Sequence, residues 1–132
     1  MPGNDTPHAD GRDIAVTAAR AAAAKQAEDV TILDVHGLIV ITDYFVIASG
    51  ETERQVKTIL EEVERAVRDL GEKPIRREGD ADSRWVLLDY IDVVVHVFAQ
   101  EEREYYDLER LWRDAPRLGW NRSEQAAAGS LD

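Results

Sequence analysis

The 132-residue sequence contains no cysteine. That absence excludes disulfide staples, a thiol nucleophile and thiolate zinc sites together, and it fits a reducing compartment. Long hydrophobic runs are missing as well: the apolar stretches fall far short of the ~20 residues that a membrane helix requires. The opening residues Met1-Pro2-Gly3-Asn4-Asp5-Thr6-Pro7-His8 lack the basic start and apolar centre of a secretory signal, so the expected location is the cytoplasm. Positive charge is scarce. Against 16 Lys and Arg stand 27 Asp and Glu, a formal net charge of -11. Such a surface repels phosphate backbones and anionic lipids, which disfavours nucleic acid and membranes as main partners, whereas a basic protein is attracted. Acidity also serves plain solubility.

What is present fits one soluble domain. A chain of this length buries roughly two thirds of its unfolded surface, enough for a single core. Residues 1–12 and 116–132 are expected to be mostly disordered tails around a domain at 13–115, since both ends are polar or small and lack periodicity. Asp13 is placed to cap a helix to about residue 27, with Val16, Ala19, Ala23 and Ala27 at helical spacing. Residues 30–35 and 42–49 read as strands separated by a His36-Gly37 turn. Thr52 with Gln55 forms a capping box, and Val56, Ile59, Leu60, Val63, Val67 and Leu70 make an apolar stripe that ends at Gly71.

Residues 74–77 fit a short edge strand, where proline and cationic side chains are tolerated. Residues 85–88 and 93–98 then form an antiparallel hairpin, and a helix over 101–114 is stopped by Pro116. No internal repeat is found. This alternation predicts an α/β or α+β fold, a mixed sheet with the first two helices on its faces.

Chemistry-bearing groupings are few. His96 lies within Val93-Val94-Val95-His96-Val97-Phe98, where a lone histidine is more often a hydrogen-bonded core residue than a catalyst. No His or Cys stands at ligand spacing from it, and His8 and His36 sit in a tail and a turn, so no zinc site is expected. Asp80 and Asp82 in a glycine loop read as a solvated turn. Ser49-Gly50 leads into a helix that could cradle phosphate, but the phosphate-loop motif is absent and Glu51 would repel the ligand. The aromatics are more informative. Trp85, Tyr90, Tyr105, Tyr106 and Trp112 lie beside a run of carboxylates and cannot all face inward, so some should form an interface hot spot. Leu108, Leu111 and Trp112 fit one apolar helix face and are assigned to core or dimer contact.

On these residues the sequence resembles the ribosomal silencing factor family (RsfS, also called Iojap). The matching pieces are Asp34-Val35-x-Gly37, Thr42-Asp43-Tyr44-Phe45-Val46-Ile47-Ala48-Ser49-Gly50, Arg54-Gln55-Val56, Glu78-Gly79 and Trp85-x-x-Leu88-Asp89-Tyr90-x-Asp92-Val93-Val94-Val95-His96-Val97-Phe98. Glu102-Arg103-x-Tyr105-Tyr106-x-Leu108-Glu109-x-Leu111-Trp112 completes the set. The one departure is Ile91, where the family usually has glycine.

The resemblance implies a nucleotidyltransferase-like fold that acts by binding, with no catalytic residue, metal or cofactor. It implies a homodimer that docks on ribosomal protein number fourteen of the large subunit, keeps the small subunit from joining, and slows translation when nutrients are scarce. The expected docking face is Trp85, Asp89, Tyr90, Tyr105 and Tyr106, with Glu102 and Glu104 at its rim. Two alternatives stand beside it. A nucleotidyltransferase-like enzyme would need a Gly-Ser turn and two or three carboxylates on neighbouring strands; here Asp89 and Asp92 only flank a turn. A generic dimerising adaptor would leave the dense motif set unexplained.

Overall fold

Nine elements follow one another in a computed structural model that describes residues 10–79 and 84–120. In chain order they are α1 (Gly11–Ala24), β1 (Glu28–Asp34), β2 (Tyr44–Gly50), α2 (Glu53–Asp69), β3 (Arg76–Glu78), β4 (Trp85–Asp89), β5 (Val93–Ala99), α3 (Gln100–Tyr106) and α4 (Leu108–Leu111). Asp80 and Asp82, read as a solvated turn, lie outside the described residues, as do the outer parts of both expected tails.

The cap of α1 is Asp10, whose carboxylate accepts from the Arg12 N–H, so the helix begins earlier than the expected cap at Asp13. Asp13 instead lies in the first turn, where its charge suits the positive end of the helix dipole. Alanines 15, 18, 19, 21 and 22 are buried together with Ile14, and their small side chains bring the helix close to the sheet. At α2 the expected cap is present: Thr52 Oγ1 accepts from the Gln55 N–H at 3.1 Å. The return bond is displaced by one residue, since Gln55 Oε1 accepts from the Glu51 N–H at 2.7 Å. Gln55 Nε2 also donates to the Gln26 carbonyl at 2.9 Å, tying the start of α2 to the end of α1. The predicted stripe is buried from Val56 through Val67, while Leu70 is exposed just past the helix end.

The sheet order is β1-β2-β5-β4-β3, with β2 and β5 parallel and every other pair antiparallel. It is therefore the mixed sheet of an α+β fold. Both α1 and α2 cover the same face, packing on Ile32, Val46, Ala48, Val86, Leu88, Val93, Val95 and Val97. The opposite face carries a smaller cluster, Leu33, Val35, Phe45, Ile47, Phe98 and Ala115, with Trp85, Leu108 and Trp112 at its margin. No described helix is long and apolar enough to cross a membrane.

Three local departures matter for the site. The single helix expected over 101–114 breaks at Asp107, which sits at φ 47°, and α4 starts from there. The segment 116–120, expected to be tail, runs along the outer edge of β1: Asp34 N–H donates to the Pro116 carbonyl at 2.8 Å and Leu118 N–H to the Ile32 carbonyl at 3.0 Å. Trp120 Nε1 adds a bond to the Val30 carbonyl at 2.9 Å. Between β4 and β5, Ile91 takes φ 76° at the centre of a γ-turn, closed by Asp92 N–H donating to the Tyr90 carbonyl at 3.0 Å. The glycine-like backbone is kept although the side chain is β-branched.

Candidate interaction surface

The sheet face opposite α1 and α2 carries the site. Side chains alternate along a strand, so Trp85, Leu87 and Asp89 of β4 share this face with Val94, His96 and Phe98 of β5. Trp85 pairs in register with Phe98, and their rings stack at 4.9 Å. Because α3 follows β5 without a loop, its last residues return over the same strands. Tyr106 then lies 4.5 Å from the Trp85 ring, with Tyr105 edge-on to it at 5.1 Å. Tyr105 is 82% exposed and Tyr106 46%. Deeper in, His96 meets Phe45 edge-on at 5.0 Å and Phe45 meets Trp112 at 5.9 Å. The result is one aromatic row from solvent at Tyr105 to the small core at Trp112.

Trp85 also lines a shallow cavity of about 220 Å³ with Glu78, Gly79 and Leu87. On the far side of α3 lies a groove of about 640 Å³ whose walls include Glu104, Tyr105, Tyr106, Arg110 and Leu111. Its charge is mixed. Glu102 and Glu101 are bound to Arg84, at 2.7 and 3.2 Å, and the guanidinium holds the Glu102 carboxyl below the usual carboxylate range. Glu104 is exposed on α3. Asp89 pairs with Arg76 at 3.2 Å while its other oxygen accepts from the Ile91 N–H, so this carboxylate shapes the turn as well as the surface.

Tyr90 must be removed from the expected docking face. The chain turns after Asp89 and carries the Tyr90 ring to the opposite side of the sheet, among the α1 and α2 contacts, where it is 5% exposed. Burial pushes its phenol above the ordinary range, and the hydroxyl has no partner among the described residues. Leu108 and Trp112 pack against the smaller core, whereas Leu111 is 69% exposed.

Two residues of this region were not singled out in the sequence as parts of it. Leu87 shares the Trp85 cavity, and simple strand alternation from Trp85 could have found it. Arg103 is buried under α3 and grips Glu109 through two hydrogen bonds, at 3.2 and 3.0 Å. Its Nη1 reaches the Glu28 carbonyl at 3.0 Å and Ser49 Oγ at 3.1 Å. Ser49 Oγ in turn donates to the Glu28 carbonyl, so the Ser49-Gly50 end of β2 is locked and solvent-free. The local pattern of α3, Gln-Glu-Glu-Arg-Glu-Tyr-Tyr, carries no sign of this role.

His96 is held as the sequence suggested, by a hydrogen bond: its Nδ1 accepts from Trp85 Nε1 at 3.1 Å. Burial lowers the imidazole to about 4, so the ring is neutral at physiological pH. Among the described residues, no group of three or more His, Cys, Asp or Glu is gathered to hold a metal ion.

The model of one protein family, ribosomal silencing factor during starvation, matches residues 8–130. The chain belongs to this family, RsfS.

A ribosomal silencing factor RsfS of Bacillus subtilis is 44% identical over 80% of this chain and 89% of its own length. One from Halalkalibacterium halodurans is 46% identical over 71% of this chain and 80% of its own length. A crystal structure of a Chromobacterium violaceum protein matches with a TM-score of 0.74 at 33% identity, covering 79% of this chain and 87% of that one. The RsfS name is regulatory rather than enzymatic, and it names the ribosome as the object of regulation.

Proposed function

We propose that this RsfS-family protein docks on the large ribosomal subunit through a basic ribosomal protein, number fourteen by the family resemblance, and blocks joining of the small subunit. The observation that carries the reading is the aromatic row from Tyr105 through Tyr106 to Trp85, partly exposed on an acidic body. Exposed aromatics next to charged rims are the usual anchors of protein interfaces. Trp85, Tyr105 and Tyr106 form its centre, with Asp89, Glu102 and Glu104 around them. Leu111 has the exposure to serve a homodimer contact. Action is placed in the cytoplasm, without cofactor.

Binding rather than catalysis is favoured by the fate of Ser49. In a nucleotidyltransferase-like site the serine of the turn would face the triphosphate; here its hydroxyl is buried between Arg103 and the Glu28 carbonyl. The reading is tested by mixing separated ribosomal subunits with and without the protein and resolving them on a density gradient. Occlusion lowers the joined fraction in proportion to occupancy of the large subunit. An unchanged joined fraction at saturating occupancy rejects it, even where binding is observed.

A further inference from the structure

We infer that His96 is a positioning residue for recognition: its Nδ1 fixes the Trp85 indole in the orientation the partner meets. The inference rests on the docking role proposed above for Trp85.

Three observations carry it. Stacking on Phe98 and the tilted Tyr106 ring beside it restrain the tilt of the Trp85 indole but leave open which ring edge points inward. An indole has a single N–H, and here that N–H is spent on His96, which selects one edge. His96 itself sits on β5, hydrogen-bonded on both sides by β2 and β4, with Phe45 and Phe98 against its ring. The indole is therefore anchored to the centre of the sheet.

The second ring nitrogen shows what the histidine is not for. Because Nδ1 accepts, the proton of the neutral ring lies on Nε2, and Nε2 is buried with no partner among the described residues. A buried donor left unpaired works against folding, and an apolar side chain of similar bulk would avoid it. What the imidazole supplies is the acceptor that Trp85 uses. Holding a contact side chain in its bound orientation lowers the ordering cost of association.

The test uses large ribosomal subunits from Bacillus subtilis as probe, with co-sedimentation at fixed salt. The wild-type protein binds, and His96→Leu lowers affinity by about tenfold, the scale of one side chain losing its preorganisation. His96→Asn restores most of the loss, since its Oδ1 branches from Cγ as Nδ1 does. In a Trp85→Phe background, which keeps a ring but removes the donor, His96→Leu has no further effect. A purely structural role for His96 would give the same loss in both backgrounds and no rescue by asparagine.

In the free protein, the Trp85 indole N–H exchanges slowly with solvent and becomes fast in His96→Leu. Full affinity of folded His96→Leu, with Trp85→Ala impaired, overturns the positioning role while leaving the docking reading intact. Absence of wild-type binding overturns both, and fast indole exchange in the wild type overturns the bond itself.

Discussion

Ile91 shows how one residue can hold a conformation against its own preference. The left-handed region costs an L-residue about 1–2 kcal/mol, and a β-branched side chain stands at the upper end. Its φ of 76° is imposed from outside: Tyr90 N–H donates to the Val93 carbonyl, and Asp89 receives the Ile91 N–H. The side chain is 56% exposed and gives little packing in return. Ile91→Gly relieves the strain but adds freedom to the unfolded chain, worth about 0.4–1 kcal/mol in the opposite direction. The expected net gain is about 1 kcal/mol, read as a rise in the thermal midpoint. A fall would mean that the isoleucine makes contacts that outweigh its backbone strain.

Among the elements, α3 and α4 depend most on one side chain. α3 has seven residues and α4 four, too few to persist without tertiary contacts. Arg103 connects them across the break at Asp107 and fastens both to the ends of β1 and β2. Arg103→Met leaves the Glu109 carboxylate without its partner, and removing one member of a buried pair costs about 3–5 kcal/mol. Part of Glu109 reaches water, so a loss of about 2–3 kcal/mol is expected in denaturant unfolding. The same variant should loosen Tyr105 and Tyr106 and weaken binding to large subunits. A variant of unchanged stability and affinity would show that α3 is held by its apolar contacts alone.

For the whole molecule the net charge of -11 governs encounter more than grip. Glu104 is exposed on α3 beside the tyrosines, so Glu104→Ala should slow association and flatten its salt dependence, with little change in dissociation. Trp85→Ala should do the reverse. Loss of that central ring costs ~2 kcal/mol or more, expressed mainly in faster dissociation. Stopped-flow association and dissociation rates measured across a salt series separate the two. Equal effects on both rates in both variants would place the docking face elsewhere.

The residues that announced themselves in the sequence did so through local physics. The Thr52 cap and the stripe from Val56 to Val67 specify α2 because a helix satisfies its own backbone and needs only one apolar face. The β4–β5 hairpin was equally legible, since its strands pair across a short turn. The family resemblance, too, lay in ordered motifs that need no coordinates. What the sequence left open was which face of the sheet each helix and ring would occupy. Periodicity says which residues share a side; it does not say what covers that side. That depended on the parallel pairing of β2 with β5, residues far apart in the chain, which put α1 and α2 together and left α3 and α4 to the other face. Tyr90 was covered by α1 and α2, Asp107 split the last helix, and Trp112 met Phe45 of β2 only once this long-range register was set.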